Sequence, residues 1–398
     1  MQELKIEGFL GIKSAAITLD GVTVIIGPQA SGKSVVARLF FFFNEYFADF
    51  DELPLAKNEH KKTYDSRKKG DFCKIFPQYA WHDDEFTVEY QNGDHWIRIT
   101  SGRGSSSLEL TTSPSVATSF RQLKIAFQDF SSSYPDDLKA PSFRILREFR
   151  NQMAHNSLAH FEHALFVPAA RSFYASIREE VFAILSMDEK IDQIIMQFGA
   201  FYESAKARMR FDDERGLKGG KGAKHRAYFD KIAKGRYLMV EGRDWIEMER
   251  GRIEMSKASS GQQEAFPLLV ALSQFPAPGR TLVIEEPEAH LFPTAQVTIL
   301  EFIVLQAVER QTSIFLTTHS PYLLSALNNL ILRGTKNQAL GIAPERAKAF
   351  SLVDGISQNL IDEETGLISG DYIDNVSDEI YRDFVSILEE DSSGPQAV

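Results

Sequence analysis

The segment Gly27-Pro28-Gln29-Ala30-Ser31-Gly32-Lys33-Ser34 constrains this chain more than any other. It follows the apolar run GVTVII and precedes KSVVARLFFFFNEYFADF, which is long enough for a helix, so the local order reads strand, glycine loop, helix. The glycines let backbone amides turn toward a single point, and the helix presents the positive end of its dipole there. A phosphate fits such a point. Lys33 is placed to reach the outer phosphates of a nucleotide, Ser34 to hold a divalent cation through its hydroxyl, and Val35 follows at the base of the segment.

Two further strand ends offer complementary chemistry. The apolar run Thr281-Leu282-Val283-Ile284 leads directly into Glu285-Glu286, which places two carboxylates where a parallel strand ends and ligands tend to bind. Side chains alternate along a strand, so the two take different tasks: Glu285 is expected in a magnesium shell, and Glu286 is expected to polarise an attacking water. Thr317-Thr318-His319-Ser320 closes a third apolar run beginning at Ser313, where His319 can donate a hydrogen bond to a terminal phosphate.

The remaining chain frames these segments. Alternating strand and helix patterns after Thr281 predict a parallel sheet with crossover helices. LKIEGFLGIKSAAITL reads as a hairpin or meander at a sheet edge, and EFTVEYQNGDHWIRIT as a hairpin turning at Asn92-Gly93. The lysine-rich stretch near Lys57 to Gly70 reads as a loop, and RYLMVEG with DWIEMERGRIEMS as a pair of strands. The expected fold is α/β: residues 1–117 form the first part of a head with antiparallel strands near the N-terminus, 118–234 a mostly helical insertion, and 235–398 the second part. The polar tail EEDSSGPQAV is expected to be disordered.

With 398 residues, 43% of them hydrophobic, the chain can bury a full core. MQELKIEGFL is not a signal sequence and no run approaches the ~20 apolar residues that span a bilayer, so a cytoplasmic protein is expected, in keeping with a lone cysteine, Cys73, read as a small buried hydrophobe. A net charge of -11 argues against a generally adhesive surface for nucleic acid. One segment departs from this: Lys206 to Arg236 is cationic and glycine-containing, and reads either as a solvated mobile loop or as a polyanion contact.

In their order, these segments resemble the ABC-type ATPases, in the branch that includes RecF-like, SMC-like and OLD-like proteins. Ala258-Ser259-Ser260-Gly261-Gln262-Gln263 resembles the signature, Ile284-Glu285-Glu286-Pro287-Glu288-Ala289-His290-Leu291 the Walker B and D-loop, and Thr318-His319-Ser320-Pro321 the switch histidine. The resemblance implies ATP and Mg2+ as ligands. It also implies a head-to-head dimer, in which Ser259, Ser260, Gly261 and Gln262 of one chain meet the terminal phosphate bound by the other. Ala258, Ser260 and Glu285 depart from the usual leucine, glycine and aspartate, and the longer side chain of Glu285 alters magnesium geometry in a way that points to slow hydrolysis. Gln78 is a candidate for the Q-loop. Arg171, in Val167-Pro168-Ala169-Ala170-Arg171-Ser172, falls in a stretch similar to one in OLD-like ATPases, with a surface salt bridge as the other reading.

No segment sustains coiled-coil heptads, and no fused nuclease domain is evident. The resemblance to OLD-like proteins implies an ATPase of a bacterial antiphage defence system, acting with a separate nuclease or toxin. The alternatives are a DNA-repair ATPase that clamps nucleic acid and an ATP-dependent scaffold with little turnover.

Overall fold

The computed structural model describes residues 1–49, 55, 58–105, 107–133, 145–146, 148–149, 162–176, 192–214, 221–240, 243–336, 338–369, 381–382 and 385. The expected tail disorder and much of the expected insertion lie outside them.

Eleven strands form one mixed sheet. In chain order they are β1 (Gln2–Phe9), β2 (Ile12–Leu19), β3 (Val22–Ile26), β4 (Phe86–Asn92), β5 (His95–Ser101), β6 (Glu109–Thr112), β7 (Ala164–Val167), β11 (Thr281–Glu285), β12 (Ser313–Thr318), β13 (Ala347–Val353) and β14 (Ile356–Asn359). Their spatial order is β6-β5-β4-β1-β2-β14-β13-β3-β12-β11-β7. Strands β13, β3, β12, β11 and β7 run parallel, and β6 to β2 form antiparallel pairs beside them.

The parallel strands read as uninterrupted apolar runs because both faces are covered. Ile25, Val283 and Phe315 enter one core with Val36, Phe40 and Phe43 of helix α1 (Lys33–Ala48). Val24, Leu282, Ile284 and Leu316 point the opposite way, into a second core. That second core holds helices α4 (Gln193–Glu214), α5 (Lys221–Ala233), α6 (Ser260–Gln274), α7 (Pro293–Glu309) and α8 (Pro321–Thr335). Helix α1 is buried almost all round, which suits its phenylalanine run: Phe40 packs 4.8 Å from Phe315, and Phe43 stacks 5.3 Å from Tyr90.

Several expectations are corrected. The hairpin β1–β2 is interior to the sheet, between β4 and β14. The lysine-rich stretch is helix α2 (Lys61–Ile75). Its composition hides a stripe at fourfold spacing, Tyr64, Lys68 and Phe72, that docks on α1 through ring contacts of 5.2 Å to Tyr46 and 5.3 Å to Phe42. The pair of strands after Gly235 is a three-stranded sheet, β8 (Arg236–Val240), β9 (Arg243–Met248) and β10 (Gly251–Glu254). Helix α3 (Pro114–Ser132) packs Val116, Phe120, Leu123 and Phe127 against the first core.

The cationic segment is helical over α4 and α5, with residues 215–220 outside the description. Lys206 is fully buried, 2.8 Å from Asp244 and 2.7 Å from Glu203, with its ammonium 4.4 Å above the Tyr202 ring. Apolar Phe198, Tyr202 and Ala205 at helical spacing bring it inside.

Candidate functional site

Register brings three sequence-distant segments to one edge of the sheet. Ile26 at the end of β3 pairs with Thr318, and Thr317 pairs with Glu285. With strands about 4.8 Å apart, Glu285 lies roughly 10 Å from the start of the glycine loop, which is the reach of a nucleotide's phosphates.

The loop Gly27–Gly32 connects β3 to α1. Gly27 has no room for a side chain, since a Cβ there would be driven into the carbonyl oxygen of Leu352 on β13. Gly32 sits at φ 100, directly before α1. Pro28, Gln29, Ala30 and Ser34 are exposed, while Ser31 and Val35 are half-buried. Lys33 is buried and folds back over its loop: Nζ donates to the carbonyls of Gly27 at 2.8 Å and Pro28 at 2.7 Å, and to Ser31 Oγ at 3.4 Å. Burial pulls its pKa below the ordinary lysine value, and the charges of Glu286 and Glu288 oppose that shift. A phosphate in place of the two carbonyls supplies the same stabilisation with a full charge.

Glu285 is buried at the end of β11, and Glu286 turns out of the strand in the left-handed region at φ 42. Its amide donates to Thr317 O at 3.0 Å. The Glu286 carboxylate comes 3.5 Å from His319 Nε2, with both side chains partly exposed. Underneath lies Glu288, whose Oε1 accepts from Thr318 Oγ1 at 2.6 Å and from the His319 amide at 2.8 Å. Its Oε2 is buried with no hydrogen-bond partner among the described residues. Burial pushes its carboxyl above the ordinary glutamate value, Glu286 adds to this, and the bonds from Thr318 and His319 oppose it. Glu288 thus fixes the backbone from which His319 projects, a role its sequence position alone did not reveal.

The segment Ser259–Gln262 opens α6 as a capping box: Ser259 Oγ accepts from the Gln262 amide, and Gln262 Oε1 accepts from the Ser259 amide at 3.1 Å. Ser259 and Ser260 are exposed. Gly261 backs onto His290, where a Cβ would come 2.8 Å from the carbonyl oxygen. Among the described residues no hydrogen bond joins this segment to Gly27–Ser34, so the chain brings Lys33, Glu285, Glu286 and His319 together and leaves Ser259 and Ser260 exposed, while Gln262 Nε2 donates to Ala233 O at 2.7 Å. Gln78 lies exposed in a short turn, Gln78–Ala80, without a hydrogen bond to the loop among the described residues.

Arg171 corrects the surface reading. It is fully buried and sits behind Glu285 and Glu286, because the short strand β7 ends beside β11 and the turn after it runs under that strand's end.

A glycine loop between a central parallel strand and its helix, with carboxylates and a histidine on the next two strand ends, defines the P-loop nucleotide-binding class. The chain belongs to the family described as AAA domain, putative AbiEii toxin, Type IV TA system, whose model matches residues 22–325. No curated protein matches. Among solved structures it is similar to an SMC head domain from Thermotoga maritima, with 13% identity, 90% of this chain and 97% of that chain covered, and a TM-score of 0.39. It is also similar to the Smc head of Pyrococcus furiosus bound to the C-terminal domain of ScpA, with 12% identity, 96% and 100% covered, and a TM-score of 0.40. The recombination mediator RecF gives 12% identity, 90% and 97% covered, and a TM-score of 0.34. Among the described residues no helix is long and apolar enough to cross a membrane.

Proposed function

We propose that this chain binds ATP with Mg2+ and hydrolyses it in a head-to-head dimer, as the ATPase of a bacterial antiphage defence system working with a separate nuclease or toxin. The observation that carries the ATPase reading is the register Ile26–Thr318 and Thr317–Glu285, which sets Lys33, Glu286 and His319 around one point. The family's description as a type IV toxin–antitoxin AAA domain supports the defence context.

The donor set suits magnesium: an exposed hydroxyl at Ser34 and a carboxylate at Glu285 are the hard oxygen ligands that ion takes. Ser34 and Glu285 would hold the ion, which would supply charge compensation for the phosphates. The chain's own groups do the rest. Amides of Gly27–Ser34 and the Lys33 ammonium hold the phosphates, Glu286 orients a water for in-line attack, and His319, 3.5 Å from the Glu286 carboxylate, donates to the terminal phosphate. The Ser259–Gln262 segment of a second chain closes the site, so each of two sites draws on both chains.

Two substitutions test this. Lys33→Ala should abolish ATP binding by calorimetry, because it removes charge compensation. Glu286→Gln should keep ATP affinity and lower turnover by at least about a hundredfold. Equal loss of affinity in both would remove Glu286 from its assigned task.

A further inference from the structure

The buried guanidinium behind the two glutamates has no task in the scheme above. Arg171 is fully buried, and four of its hydrogen bonds tie three elements to one plane. Nη1 donates to Glu285 O at 2.7 Å and to Pro168 O at 3.0 Å, Nη2 donates to Glu286 O at 3.0 Å, and Nε donates to Glu264 O at 3.0 Å. Glu264, on α6 and also buried, returns the tie: its Oε2 accepts from the Arg171 amide at 2.9 Å and its Oε1 from the Ser172 amide at 3.0 Å.

An unpaired charge does not persist at such depth, and a salt bridge alone would need only one face of the guanidinium. The rest of the fork is spent on carbonyls, two of which belong to Glu285 and Glu286. Glu286 holds a left-handed backbone at φ 42, a conformation that costs a glutamate and persists only where neighbours impose it. Its amide is pinned by Thr317 and its carbonyl by Arg171, so the peptide is clamped on both sides and the carboxylate can leave in one direction only.

We infer that Arg171, anchored by Glu264, is a positioning residue that holds Glu286 in its working orientation within its own chain. This rests on the ATPase reading above. Lysine would retain the charge of Arg171, but a single ammonium cannot span Glu264 on one side and the two carbonyls on the other.

The test assigns each surviving site to one chain. Two copies of the full chain carrying different affinity tags are co-expressed, and mixed dimers are purified through both tags. When one copy carries Arg171→Lys and the other Glu286→Gln, the only hydrolysing site uses the glutamate of the copy with Arg171→Lys, and its kcat should fall at least about tenfold with KM within about twofold. When Arg171→Lys and Glu286→Gln sit in the same copy, the surviving site uses the glutamate of the unaltered copy and should run at the rate of a dimer carrying Glu286→Gln alone. Glu264→Gln, which loosens the anchor, should repeat the pattern. Equal loss in both arrangements, or no loss in either, overturns the inference: Arg171 would then merely hold the head together or be dispensable. Failure of the underlying reading looks different, as wild-type dimers without turnover or doubly Glu286→Gln dimers that retain it.

Discussion

Gly261 gives a prediction whose size can be worked from distances. It is the second residue of α6, and alanine there would ordinarily stabilise the helix by up to about 1 kcal/mol, less in a first turn. A Cβ, however, would lie 2.8 Å from His290 O, roughly half an ångström inside the closest comfortable approach of carbon to a carbonyl oxygen. Overpacking of this kind costs about 1–3 kcal/mol, so Gly261→Ala should be net destabilising by about 1 kcal/mol. The turn bearing His290 cannot absorb the shift by itself, because the Ala289 and Leu291 amides are bonded to the carbonyls of Glu286 and Glu288 at 3.0 and 2.9 Å. A displacement of half an ångström at Glu286 should slow hydrolysis by about tenfold, taking a hundredfold per ångström as the scale. Urea unfolding and steady-state turnover read the two effects separately. A variant that is more stable by the full alanine increment and turns over normally would refute the close packing of the signature turn on the His290 carbonyl.

Other consequences follow from single contacts. Gly27→Ala should weaken ATP binding by at least about fivefold in calorimetry, since it forces the loop away from Leu352 with an overlap that costs at least about 1 kcal/mol. Mixing Ser259→Arg chains with Lys33→Ala chains, each inactive alone, should restore roughly a quarter of wild-type turnover if sites act independently, because half the dimers then hold one sound site; no recovery despite dimers seen by light scattering would exclude Ser259 from the partner's site. Lys206→Ala should cost about 1–3 kcal/mol in urea unfolding by removing the buried ammonium that Asp244 and Glu203 share, whereas a change under about 0.5 kcal/mol would mean an exposed side chain. Burial lowers the pKa of His95 below its ordinary 6.5, so its contribution to stability is present above that pH and is lost as pH falls beneath it. The unfolding midpoint should therefore drop more steeply with acid in the wild type than in His95→Gln.

The segments proposed to hold the nucleotide were legible because each combines a short apolar strand with residues that only special geometry requires. What the sequence concealed is long-range. Nothing around Arg171 distinguishes a surface ion pair from a buried fork; apart from Pro168, its acceptors lie 93 to 115 residues away, on α6 and at the end of β11, whose adjacency is a fact of topology. Helix α2 was hidden by its lysines, since three buried side chains are enough to dock it. The hairpin β13–β14 carried a readable signal that went unused: Asp354-Gly355 lies between apolar runs and takes left-handed φ values of 52 and 78, as a tight hairpin turn needs. Missing it concealed the fact that β3 has a C-terminal strand on each side.

That placement has a consequence for synthesis. Strand β3 is apolar but for Thr23 and buried at every position, yet its two neighbours, β12 and β13, are translated about 290 and 320 residues after it. At ribosomal speeds of about 5–20 residues per second, the strand that carries the phosphate loop waits about fifteen seconds to a minute with both backbone edges unpaired. During that interval the nascent chain presents a flat, uncharged template for pairing with other chains, the kind of surface that chaperones cover and that aggregates grow from. Fragments ending before Ser313 should behave accordingly, accumulating as insoluble material, while extension through Val353 restores solubility by closing the sheet around its central strand.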